Sequence, residues 1–316
     1  MKKWLVFVLQ SLVTLGLLGW IFRDPEFRKE VLGALSGADR GWLLAAALVA
    51  GVGCLMGILR WGIFLRVLGI DIPRLAILRI GAVGLFFNSF LPGVVGGDAV
   101  KAGWLVARGF SARNAVLSAV MDRISGLGAL VLCSAVLIPM RYTWLMQSPA
   151  VSAMVHLLVI YLVVVSLLLS LSFVLSARGA VSRLPQKMPG RQTIEDFAAA
   201  YGRFLSCWKS TLAAALISVG MLLAYFLTFF LSARAFGVEV PLLDFLSFMP
   251  LVDLLAALPV SVGGFGVREA AFVTLLGDLA GVPAAHAVSI SFLGALVTLL
   301  WGCAGLILLP GLRKAR

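Results

Sequence analysis

Long apolar stretches separated by short charged clusters run the whole length of the chain. Residues 4–22 and 41–59 carry no charge, and 114–140 is apolar except for Asp122 and Arg123. Further apolar runs lie within 142–177, 210–233 and 279–312. Each supplies the roughly 20 residues that a membrane-spanning helix needs. Two more apolar stretches are interrupted. Residues 75–108 are broken by Leu91-Pro92-Gly93 and Gly96-Gly97, and 241–278 by Leu258-Pro259 and Gly263-Gly264. Proline removes a backbone donor and glycine frees the backbone, so neither stretch reads as one continuous helix. Each half is shorter than a span. The pattern predicts six full spans and two re-entrant helical hairpins.

The two broken stretches match each other. Leu91-Pro92-Gly93-Val94-Val95-Gly96-Gly97-Asp98-Ala99-Val100-Lys101 aligns without a gap on Leu258-Pro259-Val260-Ser261-Val262-Gly263-Gly264-Phe265-Gly266-Val267-Arg268. Seven of eleven positions coincide, one of them as Lys against Arg. The match reads as a duplicated element. Three predicted spans lie between the copies, and an odd number inverts the second relative to the first. The expected fold is therefore an all-α polytopic membrane protein, an inverted-repeat helical bundle with two re-entrant broken-helix hairpins. It forms a single transmembrane domain over 1–316 with repeat cores at 75–108 and 241–278. Transporters built this way hold their site near the bilayer midplane, between broken helices.

Charge orients the chain. The 23–40 loop is balanced, with four bases and four acids. Residues 60–113 contain Arg60, Arg66, Arg74, Arg79, Lys101, Arg108 and Arg113. Residues 176–209 hold six bases against Glu195 and Asp196, and the end reads Arg313-Lys314-Ala315-Arg316. With both hairpins re-entrant, every base-rich stretch falls on one side, as the positive-inside rule requires of the cytoplasmic face. Both termini are then cytoplasmic. Splitting each hairpin into two full spans gives ten spans with the same end orientation, so charge leaves the count open. Residues 4–22 read as a retained first helix, because no small-residue cleavage pattern follows them. The polar linker and amphipathic helix expected over 178–209 place Phe197, Tyr201, Phe204, Leu205 and Trp208 at helical spacing on the inner surface.

Composition agrees with this class and removes others. Hydrophobic residues make up 61% of the 316, against about 45–50% in a soluble domain. Charged residues make up 13%, about half the usual share. A soluble enzyme, a disulfide scaffold and a disordered chain are excluded. The net charge of +12 is explained by basic loops on the cytoplasmic side, so no nucleic-acid partner is expected. The four cysteines and two histidines have no metal spacing, and no catalytic or phosphate-loop motif is present. The chain reads as neither an enzyme nor a cofactor carrier.

Ionisable groups inside apolar segments are costly and mark functional sites. Asp98 and Lys101 lie on one face of the half-helix after the first break, and Arg268 and Glu269 occupy the matching turn after the second. Asp122-Arg123 sits inside a span and Asp253 just before the second break. Expected pairings join Asp98, Asp122 and Glu269 to Arg123, Lys101 and Arg268. Arg60 is expected to snorkel to the interface, and Asp278 to lie near the outer surface. The glycine turns Gly96-Gly97 and Gly263-Gly264 leave backbone N–H groups at the start of a half-helix, where an anion such as phosphate binds well. Asn88, just before the first break, adds a polar group to the same site. The candidate substrate-binding set is therefore Asn88, Gly96, Gly97, Asp98, Lys101, Asp122, Arg123, Asp253, Gly263, Gly264, Arg268 and Glu269.

These residues carry a family resemblance. Asn88-Ser89-Phe90-Leu91-Pro92-Gly93 with Gly96-Gly97-Asp98 resembles the first signature of the lysylphosphatidylglycerol synthase/flippase transmembrane-region family. Asp122-Arg123-Ile124-Ser125-Gly126 resembles its acidic-Arg-x-x-Gly element, with Asp where the family usually has Glu. Leu258 to Glu269 resembles its second signature, and Arg60-Trp61 also fits. The resemblance implies a membrane domain that moves an aminoacylated phospholipid to the outer leaflet, with a separate soluble domain making that lipid. A chain ending at Arg316 has no room for that domain, so lysyl transfer is not expected. The expected function is a flippase for a phospholipid or related polar lipid. The alternative is a non-transporting membrane subunit that scaffolds a separately encoded lipid-modifying enzyme.

Overall fold

The computed structural model describes residues 2–90, 96–177, 191–258 and 260–308. Leu91 to Val95 and Pro259 of the two breaks, most of the polar linker, and the basic C-terminal residues lie outside them. The described residues form helices and contain no strand. Among the described residues, five helices are long and apolar enough to cross a membrane: α3 (Arg40–Val67), α6 (Ala112–Met140), α8 (Pro149–Ala177), α10 (Trp208–Ala235) and α13 (Ala284–Gly305). Helix α1 (Lys2–Ile21) precedes them.

The second interrupted stretch is broken in the structure, and the described parts of the first, on either side of 91–95, pack on each other. The first gives α4 (Arg74–Phe90) and α5 (Gly96–Val106), and the second gives α11 (Leu242–Ala257) and α12 (Val267–Ala280). Between α11 and α12 a short 3-10 turn spans Val262–Gly264. Gly263, Gly264 and Gly266 have φ of 61°, 76° and 86°, a region that only glycine enters at little cost. Here the duplicated Gly-Gly has a plain structural reason.

Two elements lie in stretches expected to be loops. Helix α2 (Pro25–Ser36) occupies the balanced loop, with Asp24 accepting from the Glu26 N–H as its cap and proline in the first turn. Its Val31 is buried against Ala285 and Val288 of α13. A single turn, α7 (Tyr142–Leu145), lies between α6 and α8. The amphipathic helix is α9 (Arg191–Ser206). Its Phe197, Ala200 and Phe204 pack on Phe64, Leu68, Leu117, Met121 and Ala214. That face docks on α3, α6 and α10. Trp208, grouped with this face in the sequence, begins α10 and is exposed.

Helices α3 and α10 form the most extensive pair of the bundle. Gly53 of α3 faces Ala224 of α10, and Gly57 faces Met221. Small residues let the backbones approach closely, which drives helix association where the surroundings are apolar. The larger core cluster gathers around Phe226, Phe229, Phe245, Phe248 and Phe272, from α10, α11 and α12. Phe229 and Phe272 stack at 5.4 Å between centroids. A second cluster, with Trp61, Ile77, Ile80 and Leu105, joins α3 to the first broken pair. Each broken pair therefore has its own core, and α3 and α10 run between them.

Candidate functional site

A cavity of about 610 Å³ opens among α3, α4, α5, α6, α8, α10, α11 and α13. Much of its wall is apolar, including Ile58, Leu127, Leu130, Met221 and Leu254. One end is polar: Arg60, Asn88, Lys101, Asp122, Arg123 and Ser218 meet there. At 1.5 Å per residue, Arg60, Asp122 and Ser218 stand about 10–15 Å from their helix ends on the α9 side of the bundle. Tyr225 and Asp253 also line the cavity and lie about 15 Å from the opposite ends of their helices.

The polar end is built from two ion-paired groups. Arg60 is buried and donates from Nε to Asp122 Oδ1 at 2.9 Å and from Nη1 to Ser218 Oγ at 3.1 Å. Arg60 therefore does not snorkel to the interface: an acid and a hydroxyl on neighbouring helices hold it inside. Asp98 is buried between two cations. Lys101 Nζ lies 2.7 Å from Oδ1, and Arg123 donates from Nε and Nη2 to Oδ2 at 2.8 and 2.7 Å. Lys101 also sits 4.9 Å from the centre of the Trp61 ring, a favourable cation–π position. Three cations face two carboxylates here, leaving one formal positive charge for an anion. The Arg123 side chain is 41% exposed against 4–14% for the other four, so it is the group most open to a ligand.

The fold brings α4 and α5 together at this end. Asn88 Oδ1 accepts the Gly97 N–H at 2.8 Å. A side chain on Gly97 would meet the Gly84 carbonyl and Asn88, so this position requires glycine for close approach. The Gly97 N–H expected to be free for an anion is thus taken by Asn88. Asp98, one residue on, is the acid in the first turn of this half-helix, where the helix dipole favours a negative charge.

The second break forms a different cluster. Glu269 is fully buried and accepts from the Gly266 N–H at 2.5 Å and from Ser291 Oγ at 2.7 Å. Arg268 donates to Ser291 Oγ at 3.2 Å and lies 3.5 Å from Glu269. Its guanidinium sits near the rings of Phe265 and Phe229. Thr14 of α1 accepts the Val262 N–H at 2.8 Å. Here too two backbone N–H groups beside the glycines, those of Val262 and Gly266, have partners inside the protein. Arg268, Glu269, Gly263 and Gly264 are not part of the cavity wall. The expectation that Arg268 lines it beside Lys101 is therefore corrected: Ser291, Glu269 and two aromatic rings hold Arg268 behind the wall. Tyr225 connects the regions, lining the cavity and interacting with Arg268.

Of the sequence candidates, Asn88, Lys101, Asp122, Arg123 and Asp253 line the cavity, and Asp98 is bonded to two of them. Gly96 begins α5. Asp122 pairs with Arg60, where Arg123 or Lys101 was expected. Asp278 is exposed and accepts from Ser148. Ser218 and Tyr225 were not anticipated, because single hydroxyls within an apolar run carry no spacing signal.

A family model described as Lysylphosphatidylglycerol synthase TM region matches residues 7–305. No curated protein matches the chain significantly.

Proposed function

The chain belongs to the lysylphosphatidylglycerol synthase TM region family, and from that premise we propose that it moves a phospholipid or related polar lipid between the leaflets of a cytoplasmic membrane. The headgroup enters the polar end of the cavity while the acyl chains stay along its apolar wall and in the bilayer. The observation that carries this reading is the surplus cation of that end, three bases against two acids at membrane depth. Charge-assisted bonds from Arg123 and Lys101 suit the oxygens of a phosphate, and are strong where water is scarce.

The broken pairs are read as inverted re-entrant hairpins with both termini cytoplasmic. Support comes from length. Among the described residues, helices α4, α5, α11 and α12 have 17, 11, 16 and 14 residues. At 1.5 Å per residue they reach about 17–26 Å, short of the ~30 Å hydrocarbon layer. Rocking of one pair against the other alternates access to the cavity. The chain acts as a transporter and catalyses no covalent change.

Mass spectrometry of lipids that purify with the protein tests the reading. Wild type retains one class of anionic or zwitterionic phospholipid above its share in the membrane, and Arg123→Gln loses that enrichment. Equal lipid profiles in both, with an enzyme co-purifying instead, overturn it in favour of a scaffold for that enzyme.

A further inference from the structure

The cavity holds one carboxylate that its ion-paired end does not account for. Asp253 lies on α11, one turn after Pro250, which interrupts the backbone bonding of that helix. Its side chain faces the cavity. Asp98 and Asp122 each have a basic partner. Asp253 makes no hydrogen bond and no ion pair among the described residues.

The groups around it explain why. Helix α11 packs against α6, α8, α10, α12 and the turn before α12. From α10 it meets Tyr225, which feels the charges of Asp253, Arg268 and Glu269. On α12, Arg268 is occupied by Ser291 and Glu269. On α6, Asp122 and Arg123 are engaged by Arg60 and Asp98. Helix α8 contributes Tyr161 to the wall, and the turn Val262–Gly264 has no titratable side chain. Across the cavity, Lys101 of α5 is paired with Asp98. Every nearby base therefore has another acid or hydroxyl.

A carboxylate left alone at membrane depth must be neutralised or must hold a cation. A hard metal ion needs several oxygen ligands, and no group of three His, Cys, Asp or Glu residues gathers among the described residues. A proton needs only the one carboxylate. We propose that Asp253 is a proton-binding site that couples lipid movement to the proton gradient. A proton passes from water reaching the cavity to a carboxylate oxygen of Asp253, and leaves to water when access changes sides. No other bond is made or broken. Asp253 and the paired bases lie in opposite halves of the bundle, so proton and phosphate occupy the same cavity without sharing a site.

The coupling rests on the transport reading above, whereas the proton site can be measured without transport. Infrared spectra of the purified full chain, wild type minus Asp253→Asn, read the carbonyl stretch of a protonated carboxylic acid. The expected result is a band lost in Asp253→Asn, shifted in Asp253→Glu, and insensitive to sodium. Absence of that band at every pH where the protein stays folded overturns the proposal. In a second arm, the full chain is placed in phosphatidylethanolamine–phosphatidylglycerol vesicles with a fluorescent phosphatidylglycerol as probe. With one proton per lipid, a gradient of about one pH unit shifts the leaflet ratio of the probe about tenfold. In Asp253→Asn the ratio no longer follows the gradient. A shift that persists in Asp253→Asn, or that a sodium gradient alone produces, overturns the coupling. Absence of probe exchange under every gradient, with the infrared band present, counts against the transport reading while supporting the proton site.

Discussion

Arg60 offers the sharpest test of how the bundle holds charge. Its side chain is 6% exposed and makes two hydrogen bonds, to Asp122 at 2.9 Å and to Ser218 at 3.1 Å. Replacing it in Arg60→Met keeps most of the volume and removes both bonds. It also leaves Asp122, 14% exposed, without its base. Hydrogen bonds to charged groups contribute about 1.5–3 kcal/mol each. Removing one partner of a buried pair costs about 3–5 kcal/mol, because the other charge remains buried and unpaired. The expected loss of unfolding free energy is therefore about 3–5 kcal/mol. The double variant Arg60→Met with Asp122→Leu removes both charges and recovers most of that loss. Reversible unfolding in mixed micelles of mild and denaturing detergent, followed by circular dichroism, measures all three proteins. A loss below about 1 kcal/mol in Arg60→Met would refute the argument, since that is what an arginine with its head in water should give. A double variant no better than the single would refute it too.

Two further effects follow from packing. Gly97→Ala places a methyl group against the Gly84 carbonyl and Asn88 and should weaken the α4–α5 contact, lowering the melting temperature. Gly103→Ala on the same helix meets nothing within 4 Å and should be neutral or stabilise by up to ~1 kcal/mol; thermal scans of the pair in detergent check both. Thr14→Val leaves the Val262 N–H without its acceptor, at a cost of about 1–3 kcal/mol, and amide hydrogen exchange should quicken at Val262 with little change in α13.

Much of the architecture can be read from the chain because the bilayer punishes polar backbone and charge so heavily. The apolar runs became α1, α3, α6, α8, α10 and α13, and the glycines of the second interruption became a real helix break. Helix α2 is legible in Asp24 followed by Pro25 and Glu26, a helix-start pattern within a segment whose balanced charge otherwise reads as a loop. The site was half legible. Charges in apolar segments single out Asp98, Lys101, Asp122 and Arg123, which the structure gathers at one place. Their partners were harder, because pairing depends on which helix faces lie together. Arg60 and Asp122 are 62 positions apart in the chain. The matched sequences around Lys101 and Arg268 invited matched roles, but their surroundings differ. Lys101 rests on Trp61 beside the cavity, whereas Arg268 is drawn behind Tyr225 by Ser291 and Glu269.

Leaflet exchange of a fluorescent phosphatidylglycerol in vesicles holding wild type or Arg123→Gln tests the central claim most directly. The variant reduces the polar end from three bases against two acids to two against two. The account predicts rapid exchange by wild type and a loss of at least about tenfold in the variant, the equivalent of one charge-assisted bond of about 1.5–3 kcal/mol. Equal exchange by both proteins, with the variant folded, would contradict it.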